Sequence, residues 1–336
     1  MAAYQGGEAL VKLSVCFAAL AVFAAAPVDR LLAVTPSPAP IASATAQSAT
    51  IPFDPPLGEA LRYRWEKAIE KDGKTAMSWS VSDYRFDEAG KGYRLTVTPV
   101  SSGSNETDPA KIAISKKLER LLNIPFVLQL DELGVIAKLE NDTLYWSTIV
   151  RVLREELAKP RATPASTGEQ EAIRGVMDLF EKMPADARLA LLTEAVQPLV
   201  EFVGTETTVG EPIRATVETP SAWGGQLKRE ININLVAIAA GKAHLSVHST
   251  IPRSELERLA KDLVQKVVVK QSPSDRIKMN EGFAALESFQ HETSSAYKVW
   301  LSDGMLADFL STETISTAAK SEKKVRITTR SLARAN

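Results

Sequence analysis

The stretch Leu61-Arg62-Tyr63-Arg64-Trp65-Glu66 decides the fold. Its large apolar side chains fall on every second position and charged ones fill the gaps. Successive side chains of an extended chain point to opposite faces, so this spacing suits a pleated strand with one wet face. Met77-Ser78-Trp79-Ser80-Val81-Ser82 and Tyr93-Arg94-Leu95-Thr96-Val97-Thr98 have the same alternation. Lys71-Asp72-Gly73-Lys74 and Gly90-Lys91-Gly92 separate the three runs with polar, glycine-containing turns. The segment therefore predicts an antiparallel meander, half buried, whose serines and charged side chains face water.

Working outward, Phe126-Val127-Leu128-Gln129-Leu130, Asp131-Glu132-Leu133-Gly134 and Val135-Ile136-Ala137-Lys138-Leu139 read as a second hairpin. The period then changes. Asn141 or Asp142 can cap a helix in which Trp146, Ile149, Val150, Leu153 and Leu157 follow helical spacing. A loop over 160–168 and two further helical stretches over 169–182 and 185–203 follow, with Pro198 expected to split the second. Strands resume at 212–219, and residues 227–251 form a long hairpin turning at Ala240-Gly241-Lys242. Ser254-Glu255-Leu256-Glu257 is a capping-box pattern opening a helix that would bury Leu256, Leu259, Ala260, Leu263 and Val267. Tyr297 to Leu301, Asp303-Gly304 and Met305 to Ile315 read as another hairpin. The basic, alternating Lys323 to Leu332 reads as a last strand whose charges protect a sheet edge.

The expected fold class is α+β: a large antiparallel sheet, curved and internally duplicated in one reading, with several helices on one face. The duplication rests on short matches. Arg94 to Thr98 resembles His244 to His248, and Val127 to Leu130 resembles Lys298 to Leu301. The expected organisation is a leader and spacer over 1–46, then one α+β domain over 51–336. That domain comprises two meander halves, 51–140 and 210–336, joined by helices over 141–205.

The layout of Leu61 to Trp65, Phe126 to Leu139 and Tyr297 to Leu310 resembles uncharacterised families of exported bacterial β-rich proteins. That resemblance implies export and a broad antiparallel sheet. It transfers no functional residue. A further analogy, of fold alone, is to periplasmic lipoprotein carriers, whose curved sheet wraps helices around an apolar cavity.

The first residues suit export. Lys12 precedes a charge-free run from Leu13 to Val28, closed by Asp29 and Arg30. The run is long for a signal peptide and short for a spanning helix, which needs about 20 residues. Small-residue sites near Ala44 and Ala46 would allow cleavage, and an uncleaved inner-membrane anchor is the alternative. The expected location is the periplasm of a bacterial cell envelope, with membrane contact only if the segment stays attached. Pro36-Ser37-Pro38-Ala39-Pro40 marks an extended spacer. The single cysteine, Cys16, lies in the leader, so the exported body has neither a disulfide nor a thiol nucleophile.

Charge excludes one class of partner. The chain has 40 Lys+Arg against 41 Asp+Glu, a net charge of −1, which offers nucleic acid no basic face. Three histidines remain to be placed. His244 and His248 lie four apart, a metal-gripping distance on a helix. On the expected strand they stand about 13 Å apart, beyond what one zinc can bridge. His291-Glu292 lacks the second histidine of a metallopeptidase helix, and Asn105-Glu106-Thr107 and Asn141-Asp142-Thr143 fit glycosylation sequons by chance. No catalytic, cofactor-binding or metal-binding residue is singled out, and no cofactor is expected. Tyr63, Trp65, Trp79 and Tyr93 suit a core beneath the sheet better than a ligand cavity. The expected function is a non-enzymatic envelope module that binds an apolar ligand or a protein partner. The alternatives are a structural or assembly protein without a cavity, and a hydrolase with an unrecognised site.

Overall fold

The computed structural model describes residues 47–335, except 72, 108–111, 113–124, 158–173, 175–176, 179, 221–225, 259–289 and 320–321. The leader and spacer, the loop over 160–168, most of the helix expected at 169–182 and the apolar face from Leu259 onward lie outside the described residues.

The described chain is mostly β rather than α+β. Eleven antiparallel strands form one sheet: β2 (Ala60–Lys71), β3 (Lys74–Ala89), β4 (Gly92–Ser104), β5 (Phe126–Leu130), β6 (Ile136–Leu139), β8 (Ile213–Pro220), β9 (Gln226–Ala239), β10 (Lys242–Thr250), β11 (Gln290–Trp300), β12 (Leu306–Ala319) and β13 (Glu322–Arg334). Their order is β6-β5-β4-β3-β2-β13-β12-β11-β10-β9-β8. Two short strands, β1 (Ser48–Thr50) and β7 (Glu206–Thr208), pair separately. Between β6 and β7 lie helices α1 (Asp142–Leu157) and α2 (Ala185–Leu192), then a 3-10 turn over Gln197–Leu199. The helix expected to be split at Pro198 already ends at Leu192, and Pro198 lies in the 3-10 turn that follows. The segments matched in sequence, on β4 and β10 and on β5 and β11, run in the same direction within the sheet.

Two sequence expectations are corrected. The last strand is no edge: β13 lies at the centre, bonded to β12 on one side and β2 on the other. Its alternation marks a strand, but the basic residues do not mark an edge. The true edges are the four-residue β6 and the eight-residue β8, which ends on Pro220. The second correction concerns β3. Leu61, Tyr63 and Trp65 stand opposite Tyr84, Ser82 and Ser80, so the serines share the inner face and Met77, Trp79 and Val81 lie on the outer one. The buried side chains of β3 are Tyr84 and Phe86. Apolar residues switch from odd to even positions after Val81, so one strand presents two faces in turn. Outside, Trp79 lies under the Arg64 guanidinium, 4.7 Å from ring centroid to Cζ, and against Gly103, where a Cβ would stand 2.8 Å from the ring.

The sheet curls. Phe53 touches Gly134 in the β5–β6 turn, while the neighbouring Pro52 abuts Gly304 in the β11–β12 turn. Those turns lie five strand steps apart from β5 to β12, roughly 24 Å across a flat sheet. Two adjacent residues can touch both only if the sheet bends into a trough. Residues 47–57 form a strap across one end of it. Ile51 donates its amide to the Thr205 carbonyl at 3.0 Å, Asp54 donates to Asp303 at 3.0 Å, and Gly58 donates to Phe86 at 2.8 Å.

The core occupies the strapped end. Leu61, Leu95, Leu128, Leu235, Leu245, Met305, Leu306 and Leu332 of the inner side are all 2% exposed or less. Residues from the helical segment fill the trough above them: Val196, Leu199, Val200 and Phe202 join one cluster with strands of both halves. The filling is tied in place. Tyr297 donates its hydroxyl to Glu201 at 2.5 Å, its ring meets Phe202 edge-on at 4.6 Å, and Lys67 lies 3.7 Å from Glu194. Tyr63 and Trp65 take different parts in this: Tyr63 is 1% exposed and donates to the Leu306 carbonyl at 2.6 Å, while half-buried Trp65 stacks on Phe309.

Burial pushes the phenol pKa of both Tyr63 and Tyr84 well above the ordinary tyrosine range. Both phenols are neutral in the fold and ionise more easily once unfolded. Their stabilisation is complete below pH about 10 and is lost as pH rises through the elevated folded values. Unfolding midpoints in urea, measured from pH 8 to 12, should fall above pH about 10. Tyr84→Phe should make that fall shallower. An equal slope in the variant would contradict the assignment.

Candidate functional site

At the end of the trough away from the strap the inner face changes character. The register aligns residues in rows across the sheet. One row runs Trp65, Leu332, Phe309, Tyr297, Leu245 and is apolar. Two rows further on, Ile69 of β2 stands in line with Glu313 of β12, Thr293 of β11, Ser249 of β10 and Ile231 of β9. Ser311 and Ser295 occupy the row between, joined by a hydroxyl–hydroxyl bond of 2.9 Å. Polar side chains thus occupy positions that the alternation assigns to a core.

These polar groups are buried. Ser249 is 7% exposed, His291 7%, Thr293 9% and Glu313 3%. His291 Nε2 lies 2.6 Å from Glu313 Oε1, and a carboxylate there requires the ring proton on Nε2. Three atoms nearby have no hydrogen-bond partner among the described residues: Ser249 Oγ, Thr293 Oγ1 and His291 Nδ1. Such groups are rare in native proteins, and each calls for a physical explanation. Arg229, 8% exposed and two residues before Ile231, adds positive charge to the same face.

The chemistry available is limited. A hydroxyl, an imidazole and a carboxylate are the parts of an activated nucleophile, but activation needs the hydroxyl bonded to the ring. His291 Nδ1 and Ser249 Oγ form no such bond. What the cluster does offer is hydrogen bonding: two hydroxyls that donate and accept, and one ring nitrogen.

Beside it, the inner face of β2 and β3 is only partly covered. Trp65, Ile69, Ala76, Ser80 and Ser82 are half-buried and Ser78 is exposed. This strip differs from the strapped end, where inner positions are sealed.

The other sequence candidates lie elsewhere. His244 and His248 are on β10, opposite Lys298 and Ser294, on the outer face. Exposed His248 Nδ1 lies 3.3 Å from Ser294 Oγ and 3.6 Å from Glu292. Asn105 of the first sequon serves the backbone, accepting the Met77 amide at 2.6 Å. Tyr93 packs edge-on against Phe53 at 4.9 Å. Sequence reading missed His291 and Glu313. The first inward positions of β11 are His291, Thr293 and Ser295, so no apolar alternation announces the strand before Tyr297. The signal that could have found them is the neighbouring register, since Leu245, Val247 and Ser249 already turn polar along the same direction.

No protein-family model matches the chain, and no curated protein matches it. Among solved structures, one described as lipid–protein interactions in lipovitellin aligns with 84% of this chain and 25% of its own, with a TM-score of 0.42 and 8% identity. This chain spans about a quarter of that one's length, and so remote a likeness bears on neither fold nor function.

Proposed function

We propose that this protein is a non-enzymatic binding module of the bacterial envelope, which holds an apolar ligand in the trough away from the strap. The supporting observation is the contrast along the inner face. The strapped end is filled by the chain's own Val196, Leu199, Val200 and Phe202, while Trp65, Ile69 and Ala76 on the same sheet face stay half-exposed. Half-exposed apolar side chains interleaved with a few polar ones on a concave surface are what a small-molecule site is made of. The sequence from Lys12 to Ala46 supports export to the periplasm through a signal peptide, with an inner-membrane anchor as the alternative. Among the described residues, no helix is long and apolar enough to cross a membrane.

The test is direct. Protein purified without detergent from its native envelope is extracted with organic solvent and weighed intact by native mass spectrometry. A stoichiometric apolar compound is expected, and the stripped protein should enhance the fluorescence of an apolar dye. Trp65→Ala should weaken that dye binding about tenfold, the worth of one aromatic contact. A chain that emerges empty and binds no dye refutes the reading.

A further inference from the structure

The geometry points to the class of ligand: a long-chain amphiphile with a hydroxyl-bearing head, the head held by Ser249, Thr293 and His291. This rests on the binding reading above and deepens it.

Three observations converge. First, Ser249 and Thr293 are a directly opposed cross-strand pair, which places their Cβ atoms about 5 Å apart. His291 is two residues along the same strand from Thr293, roughly 7 Å away and on the same face. One small polar group can reach all three. Second, all three side chains are more than nine-tenths buried and their Oγ, Oγ1 and Nδ1 atoms have no partner among the described residues. Leaving buried polar groups unmatched is costly, and a fold optimised for stability alone would place valine or alanine there.

Third, the chemistry of the trio selects the head. Nε2 of His291 faces Glu313, and in the tautomer that donates from Nε2 the Nδ1 lone pair needs a donor. The two hydroxyls donate as well as accept. An alcohol O–H satisfies this set, giving its proton to Nδ1 and accepting from Ser249 or Thr293. An ether lacks the proton. A carboxylate lacks it too and leaves the Nδ1 lone pair unmatched.

The span fits a long chain. Ser249 lies four strand steps from Ile69, from β10 to β2, or roughly 19 Å across the sheet. That exceeds one bilayer leaflet, half of roughly 30 Å, only slightly. A chain crossing the trough from the trio toward β2 would end on the half-exposed strip of Trp65, Ile69 and Ala76.

The experiment uses the full exported chain, stripped of bound lipid, and three probes of one length: 1-tetradecanol, tetradecyl methyl ether and tetradecanoate. Each displaces a bound apolar dye. The alcohol should bind about tenfold more tightly than the ether, and more tightly than the carboxylate. His291→Phe combined with Glu313→Leu should bring alcohol and ether to equal affinity, whereas Ser249→Ala combined with Thr293→Val should weaken both and keep the alcohol's advantage. The same double variant should melt at a higher temperature than the empty wild type, because it removes buried hydroxyls that the empty protein does not use. Equal binding of alcohol and ether by the wild type overturns the head assignment and leaves the binding module standing. Tighter binding of tetradecanoate overturns the hydroxyl class. Displacement by none of the three, with no dye bound, removes the binding reading itself. A crystal of the tetradecanol-soaked protein with only ordered water at the trio would also overturn the assignment.

Discussion

Gly304→Ala should abolish the strapped fold or cost at least about 3 kcal/mol in urea denaturation. Gly304 has φ +74°, a left-handed conformation that a side chain adopts only with strain. A Cβ there would also overlap the Pro52 carbonyl oxygen, a backbone atom that no rotamer change can move aside. Pro52 cannot retreat freely, because Ile51 and Asp54 on either side of it are bonded to Thr205 and Asp303. The substitution therefore acts on the strap as a whole. Alanine at Gly210, also left-handed but with open space at its Cβ, is the control and should lose only about 1–2 kcal/mol. If the two variants unfold at the same urea concentration, the strap does not close the trough in the way described.

Glu313→Ala should destabilise the protein by about 3 kcal/mol, because it leaves the buried His291 Nε2 facing nothing. The effect comes from the stranded partner and not from the worth of the pair, since taking the two polar groups out of water offsets most of their attraction. The double variant His291→Phe with Glu313→Leu should accordingly recover much of the loss, as it removes the stranded imidazole. Thermal melts of the three proteins at pH 7 check this. A double variant less stable than Glu313→Ala would show that the polar pair itself holds β11 to β12.

The sheet was legible wherever one face was apolar. Leu61, Tyr63 and Trp65 announced β2, and the Leu227 to Ile251 hairpin was placed within a residue or two of β9 and β10. Reading failed where alternation alone could not say which face was which. Ser78, Ser80 and Ser82 looked like a wet face and turned out to share the side of Tyr63, because facing is set by the partner strand's register. The position of β13 was equally hidden: local sequence shows that a segment is a strand, but not which strands flank it. The polar cluster was least legible. His291, Thr293 and Glu313 are separated by up to 22 residues and become neighbours only through pairing of β11 with β12. A site made of polar residues in core positions gives no periodic signal, since periodicity is carried by the apolar residues it replaces.

The pairing of β2 with β13 sets the order in which the molecule can be completed. Trp65 faces Leu332 and Tyr63 faces Arg334, so the middle of the sheet joins the first long strand to the last. Each meander can zip locally, hairpin by hairpin, but the seam between them closes only when the final strand is present. Loop closure over such a separation is slow and dominates the barrier. A chain emerging from its N-terminus thus holds β2 as an open edge until β13 has been made, unable to seal the trough early. Loss of β13 would leave two separate meanders, each with a bare edge available to another chain.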